Sequence, residues 1–274
     1  MTKAANTDDP QKIVVLNPKG GCGKTTLATN LASLYALRGL APTLVDCDPQ
    51  GFCTRWLEKR PANRPLIHGV RLEGAVFSAT APLVPPAHPD SNTVIVDLPA
   101  GIPHEQLHAY TYMADNVLLP ILPSEIVIHS ATRFIAELLL DLQLDRREQK
   151  LAIVANRVRS NTRSYQMLMR FLGSLKIPLI ASLRDSQNYV HAAALGVGVC
   201  ELPTHKVETD LAQLNAIVGW LDRRRLAQKQ RQAMIADEAY RRAERRGFQG
   251  GDGVNDWLEA ERQVDAVLAQ AAAP

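Results

Sequence analysis

The most constraining stretch of this chain is its first glycine-rich loop. An apolar run, Ile13–Leu16, passes into Asn17-Pro18-Lys19-Gly20-Gly21-Cys22-Gly23-Lys24-Thr25-Thr26 and then into a helix-like segment, Lys24–Arg38. Glycines let the backbone turn tightly and aim successive N–H groups at phosphate oxygens. The helix that follows adds its positive N-terminal end. Lys24 would reach the β- and γ-phosphates of a nucleotide, and the Thr25 hydroxyl would ligate Mg²⁺. The strict pattern G-x-x-x-x-G-K-[ST] asks for glycine at position 18, where Pro18 stands. The strand before, the helix after and the paired glycines supply the context that the motif needs. Cys22 fills the variable position as a small residue, at a helix N-terminus that would lower a thiol's pKa.

The remaining pattern agrees with such a loop. Thr43–Val45, Val94–Val96, Val117–Ile121 and Leu151–Val154 are apolar runs without polar alternation, as in strands covered on both faces. Helix-like stretches lie between them: Pro103–Met113, Ser124–Leu142 and Thr162–Leu175. The alternation predicts an α/β fold, a mostly parallel twisted sheet flanked by helices on both faces. Arg60–Asn92 carries six prolines and reads as loops around one short strand or helix. The expected layout is a flexible N-terminus (1–11), a nucleotide-binding domain (12–222) and a charged helical tail (223–274).

Two acidic motifs complete the loop. Leu44-Val45-Asp46-Cys47-Asp48-Pro49-Gln50-Gly51 places two carboxylates at i, i+2, on one face of a strand end. Val94-Ile95-Val96-Asp97-Leu98-Pro99-Ala100-Gly101 is an apolar strand ending in an acid, a Walker B pattern in which Asp97 would hold Mg²⁺ through water. Ligands of open α/β sheets bind at the carboxyl ends of strands.

Lys19-Gly20-Gly21-Cys22-Gly23-Lys24-Thr25-Thr26 resembles the deviant Walker A box of the ParA/MinD family of ATPases, closer to the ParA type than to MinD. The resemblance covers about residues 12–221. It implies that Lys19 contacts the nucleotide of a partner subunit, so that two copies sandwich two ATP·Mg²⁺. It implies that Asp48 orients the attacking water and that Asp46 holds a Mg²⁺-bound water. Val154-Ala155-Asn156-Arg157-Val158 is similar to a family segment whose Asn bonds adenine, a role carried here to Asn156. A ParA-type ATPase further implies ATP-dependent, non-specific DNA binding. Arg184 and Lys206 are the candidates, with the loop bearing Arg157, Arg159 and Arg163 as a weaker one. It also implies a ParB-like or cargo-adaptor protein that stimulates hydrolysis, and a cytoplasmic, nucleoid-associated site of action that positions plasmid, chromosome or protein cargo.

Other readings compete. A nucleotide-gated scaffold with negligible turnover would carry the same loop. His104-Glu105-Gln106-Leu107-His108 matches H-E-x-x-H, which on a helix puts both histidines on one face as a zinc peptidase needs. No third ligand is specified, and the segment follows directly on the Walker B turn. The iron–sulfur branch of the family fails, because no cysteine lies between Asp97 and Val199. The four cysteines form no C-x-x-C pair, which argues for free thiols in a reducing compartment.

Charge is segregated beneath a net of +3. Residues 223–246 hold nine Lys and Arg against three acids; residues 247–274 hold one Arg against five acids. The C-terminal segment lacks the basic face of a membrane-binding helix, and no apolar run is long enough to span a bilayer, so no membrane partner is expected. Ala236–Gln263 resembles a small bacterial tail module, with Tyr240, Phe248, Trp257 and Leu258 expected to form its core.

Overall fold

A computed structural model describes residues 9–72, 87–141, 150–175, 177–248 and 253–271. Part of the proline-rich segment, residues 73–86, lies outside them. The residues divide into two compact units, one ending at Val218 and one starting at Gly219.

The first unit is built on a seven-stranded sheet, all parallel: β1 (Gln11–Val15), β2 (Thr43–Asp46), β3 (His68–Arg71), β4 (Thr93–Asp97), β5 (Asn116–Ile121), β6 (Leu151–Val158) and β7 (Leu179–Arg184). Their order is β3-β2-β4-β1-β5-β6-β7. The helices are α1 (Lys24–Leu37), α2 (Phe52–Glu58), α3 (His104–Met113), α4 (Glu125–Ala136, running into a π turn at Glu137–Asp141), α5 (Arg163–Leu175) and α6 (Gln187–Ala194). The five strands expected from apolar runs are all present. Of the one short strand or helix expected within Arg60–Asn92, the described residues show a strand, β3. Its burial alternates, as befits an edge strand, whereas β2, β4 and β5 are buried throughout.

The strand order decides the site. β4 and β5 flank β1, and β2 pairs with β4, so the carboxyl ends of β1, β2 and β4 are neighbours. Asp46 and Asp97 are partners in register at those ends. The core beneath includes Val14, Leu16, Val96, Leu98, Leu119 and Ile153, all essentially inaccessible. No helix among the described residues is long and apolar enough to cross a membrane.

The second unit is a helical hairpin. α7 (Thr204–Arg245) crosses the unit boundary without interruption, and α8 (Gly253–Ala271) returns antiparallel to its second half. The hairpin is laced by Arg231 to Glu261 and Asp265, Arg242 to Glu259, and Arg246 to Asp256, at 2.6–2.8 Å. The basic and acidic halves of the tail thus answer each other. The expected aromatic core does not form. Tyr240, Phe248, Trp257 and Leu258 are 41–61% exposed, and the buried residues are Ile235, Ala260 and Val264 with Ala239 against them. Helical periodicity explains the correction: Ile235 and Ala239, four apart, share the covered stripe of α7, as Ala260 and Val264 do on α8, and Tyr240 and Leu258 fall off those stripes.

Candidate functional site

The glycine loop is fastened from two sides. Asn17 donates through Nδ2 to the Pro120 carbonyl on β5 (2.7 Å), and its Oδ1 accepts the Lys19 N–H (2.8 Å). Asn156, at the end of β6, donates to the Cys22 carbonyl (2.8 Å) and accepts from its neighbour, the Arg157 N–H (2.9 Å). Gly23 is left-handed, φ +96°, and a Cβ there would collide with the Asn156 amide. Glycine is needed at this position for both reasons. Lys24 is buried, its ammonium bonded to the carbonyls of Asn17 (3.1 Å) and Lys19 (3.3 Å), so it lies folded across the cradle. Lys19 is exposed, and its side chain makes no hydrogen bond or ion pair with the described residues. Cys22 is inaccessible, and burial pushes its thiol up, so it is a filler and not a lowered-pKa nucleophile.

The three acids are held differently. Asp97 is buried; its Oδ2 accepts from the Thr25 hydroxyl (2.6 Å) and the Cys53 thiol (3.3 Å), while its Oδ1 has no partner among the described residues. Burial raises it to about 6, against the lowering effect of those two donors. Asp46 is buried and accepts from the Thr54 N–H (2.8 Å), the Thr54 hydroxyl (2.9 Å) and the Asp48 N–H (3.2 Å). Asp48 is half-buried and caps the Gln50 N–H (2.9 Å). The first turn of α2 therefore supports both strand-end acids, Cys53 for Asp97 and Thr54 for Asp46. Neither residue stood out in the sequence. A Cys-Thr pair one residue beyond the D-x-D-P-Q-G turn was the available signal, in a helix that opens at left-handed Gly51.

A cleft of about 1100 Å³ runs over these groups, lined by Gly20, Gly21, Gly23, Lys24, Thr25 and Thr26, by Asp48 and by Gly101. A hard cation fits the donor set: the Thr25 hydroxyl and the Asp97 carboxylate are oxygens, and the buried Asp97 Oδ1, unpartnered among the described residues, supplies the second acceptor. Arg157 lines the same cleft from a left-handed residue, φ 50°.

The other candidates lie elsewhere. Arg184 forks onto buried Asp210 (2.6 and 2.8 Å), which also accepts from Asn188 (2.7 Å). Lys206 is exposed on the first turn of α7. In the H-E-x-x-H segment, His104 pairs with Glu137 (2.9 Å) and His108 stacks on Tyr112. Among the described residues no group of three or more His, Cys, Asp and Glu is placed to hold a metal.

The chain is similar to known proteins. The chain is 28% identical over 195 residues to the maintenance of carboxysome distribution protein A of Halothiobacillus neapolitanus, a match covering 69% of this chain and 87% of that one. It is 42% identical over 120 residues to the chromosome-partitioning ATPase Soj of Thermus thermophilus, covering 42% of this chain and 47% of that one. Its fold is that of an ATP complex of McdA from Cyanothece (TM-score 0.56, 16% identity, 77% of this chain and 97% of that one). The MinD cell division protein of Aquifex aeolicus is equally similar (TM-score 0.56, 18% identity, 77% and 97%). Residues 230–266 match a family described as a protein of unknown function (DUF2934). Residues 13–199, more than half of the chain, match the CobQ/CobB/MinD/ParA nucleotide binding domain, and the chain belongs to that family.

Proposed function

We propose that the chain is a ParA-like ATPase that works as an ATP-sandwich homodimer, with residues 12–222 as the ATPase domain and 223–274 as a tail module. The observation that carries this reading is the Thr25–Asp97 hydrogen bond beneath a glycine cradle closed by Lys24, with Lys19 exposed at its rim. Gly20 to Thr26 would hold the phosphates, with Lys24 on the β- and γ-oxygens. Thr25 and Asp97 would hold Mg²⁺, and Asp46, whose carboxylate fixes the D-x-D turn, would stand behind a metal-bound water. Bound Mg²⁺ supplies charge neutralisation on the transferring phosphoryl group. Asp48 would orient the attacking water, and Lys19 would reach the partner's nucleotide. The remaining amide hydrogen of Asn156 is its means of contacting adenine.

The relatives' roles in carboxysome distribution and chromosome partitioning support a positioning function here, with a ParB-like or adaptor protein stimulating hydrolysis. The reading includes ATP-dependent, non-specific DNA binding by Arg184, Lys206 and Arg157, and so action on the nucleoid in the cytoplasm. Asp48→Ala tests the chemistry. Turnover should fall at least about 100-fold, roughly 2.7 kcal/mol of barrier, while ATP binding persists. Equal rates would leave a nucleotide-gated scaffold instead. DNA retention on filters with ATP should fall steeply with salt; a flat or ATP-independent response overturns the DNA part.

A further inference from the structure

We propose that Arg60 and Glu201 are positioning residues for the metal-assisted step: acting through α2 and α1, they set where Asp46, Asp97 and the Thr25–Thr26 end of the cradle stand. The proposal rests on the reading of the chain as a Mg²⁺-dependent ATPase and adds two residues that do not line the cleft.

α2 is seven residues long, too short to hold its own place. Its first turn supports the strand-end acids through Cys53 and Thr54. Its other end is gripped by the loop after α6, which closes in a 3-10 turn at Val199–Glu201. Arg60, just beyond α2, forks onto the Glu201 carboxylate with both bonds at 2.8 Å. The pair is buried, its side chains 8% and 0% exposed. Glu201 also accepts the Gly198 N–H (2.8 Å). The Trp56 indole donates to the Val197 carbonyl (3.4 Å), and the Arg60 guanidinium lies over its ring. A Cβ at Gly196 would stand 2.5 Å from the Lys59 carbonyl carbon, so the loop backbone abuts the end of α2 directly.

The same loop takes hold of α1. The Val199 N–H donates to Asn30 Oδ1 (2.8 Å), and Asn30 Nδ2 donates to the Thr26 carbonyl (2.7 Å) in the cradle. One short loop thus ties together the two helices whose N-terminal ends carry the phosphate loop and support the acids. A buried ion pair is weak evidence of stabilisation, since apolar side chains of like volume do as well. A bidentate fork specifies geometry. At a rise of about 1.5 Å per residue, α2 is about 10 Å long. A shift at Arg60 therefore reaches Cys53 and Thr54 as a strained bond to a carboxylate. Misplacement at a reacting centre by about 1 Å costs on the order of 100-fold in rate.

Two measurements on the full chain test this. Mn²⁺, titrated by electron paramagnetic resonance into protein saturated with the non-hydrolysable analogue AMPPNP, reads the metal site without turnover. ATP turnover reads the step. Arg60→Lys keeps a cation against the buried carboxylate but loses the fork. Mn²⁺ affinity and kcat should each fall about 10-fold, with metal-free AMPPNP affinity and the circular dichroism spectrum unchanged. Glu201→Gln, which keeps the shape and loses the charge, should do the same. A purely structural pair would lower the urea midpoint and leave kcat and Mn²⁺ affinity at wild-type values; that result in either folded variant overturns the proposal. Should both variants lose their fold, Trp56→Phe, without the donor to Val197, decides in their place: losses of about threefold support the proposal and none overturns it. A wild type that binds no Mn²⁺ with AMPPNP, or turns over no ATP, overturns the ATPase reading itself. A competent wild type matched by its variants overturns only the positioning role.

Discussion

The nucleotide site and the tail hairpin both depend on charge, and they use it in opposite ways. At the site the groups that fix the geometry are buried or half-buried and are bonded to partners from distant parts of the chain: Thr25 with Asp97, Asn156 with Cys22, Asn17 with Pro120. In the hairpin, arginines are half-exposed, fork onto two carboxylates or back onto their own helix, and find those partners within a few tens of residues. Buried single contacts give geometry at the cost of tolerance, since an unmet buried group loses its full solvation. Exposed redundant pairs give little energy each and tolerate change. The first region can perform chemistry; the second can hold two helices together.

Glycines sharpen the contrast most. Gly23 and Gly247 are both left-handed, φ +96° and +70°. Alanine at either position carries the conformational penalty of about 1–2 kcal/mol. At Gly247 no described residue lies within 4 Å of the new methyl group, so among the described residues the conformational penalty stands alone. At Gly23 the methyl also meets the Asn156 amide. Gly23→Ala should therefore displace the phosphate loop and lower ATP turnover at least about 100-fold, while Gly247→Ala leaves turnover at the wild-type value. Equal turnover in the two variants would break the comparison at its strongest point.

What could be read in advance divides along the same line. The cradle Lys19–Thr26, the acids Asp46, Asp48 and Asp97, and the strands that carry them were legible. Phosphate chemistry dictates residue types at fixed spacing, and buried parallel strands announce themselves as apolar runs. The supports were not legible. Cys53, Thr54 and Asn17 act through contacts made across the sheet, and no local pattern distinguishes a thiol that meets Asp97 from one that fills space. In the tail the basic and acidic halves were visible, but Trp257, Tyr240, Phe248 and Leu258 read as core because size and apolarity suggest burial. Which side of a helix is covered depends on its neighbour, and there Ala239 and Ala260 fall on the covered stripes while Tyr240 and Leu258 fall off them.

Carboxylate titration separates the regions next. Burial raises Asp97 to about 6 from 3.8 in the absence of metal. The folded state then binds a proton that the unfolded state has lost, so metal-free stability rises as pH falls from about 6 toward 3.8. A raised carboxylate costs stability at neutral pH, about 3 kcal/mol for a shift of this size. Asp97→Asn should therefore be more stable than the wild type at pH 7 without metal, with an advantage that narrows at pH 5, as read by urea midpoints. In the hairpin, Arg231 holds Asp265 below its ordinary range, so that pair persists to lower pH and is lost only as pH falls through the depressed value. A wild-type advantage over Asp97→Asn at pH 7 would mean that the charged carboxylate is better satisfied than its unpartnered Oδ1 indicates.

The smallest effect belongs to the hairpin and tests whether its lacing is electrostatic at all. Arg231 bridges two carboxylates of α8, Glu261 and Asp265. Exposed pairs contribute a few tenths to about 1 kcal/mol each, and salt screens them within roughly 10 Å at 0.1 M. Arg231→Gln should lower hairpin stability by about 1 kcal/mol in dilute buffer, and the deficit should vanish in 1 M salt. Arginine also lays its methylene stem along apolar surface, a contribution that salt does not screen. A deficit that persists at high salt would assign Arg231 to packing against the small core of Ile235 and Val264. The two regions would then differ in burial alone and not in the kind of force that orders them.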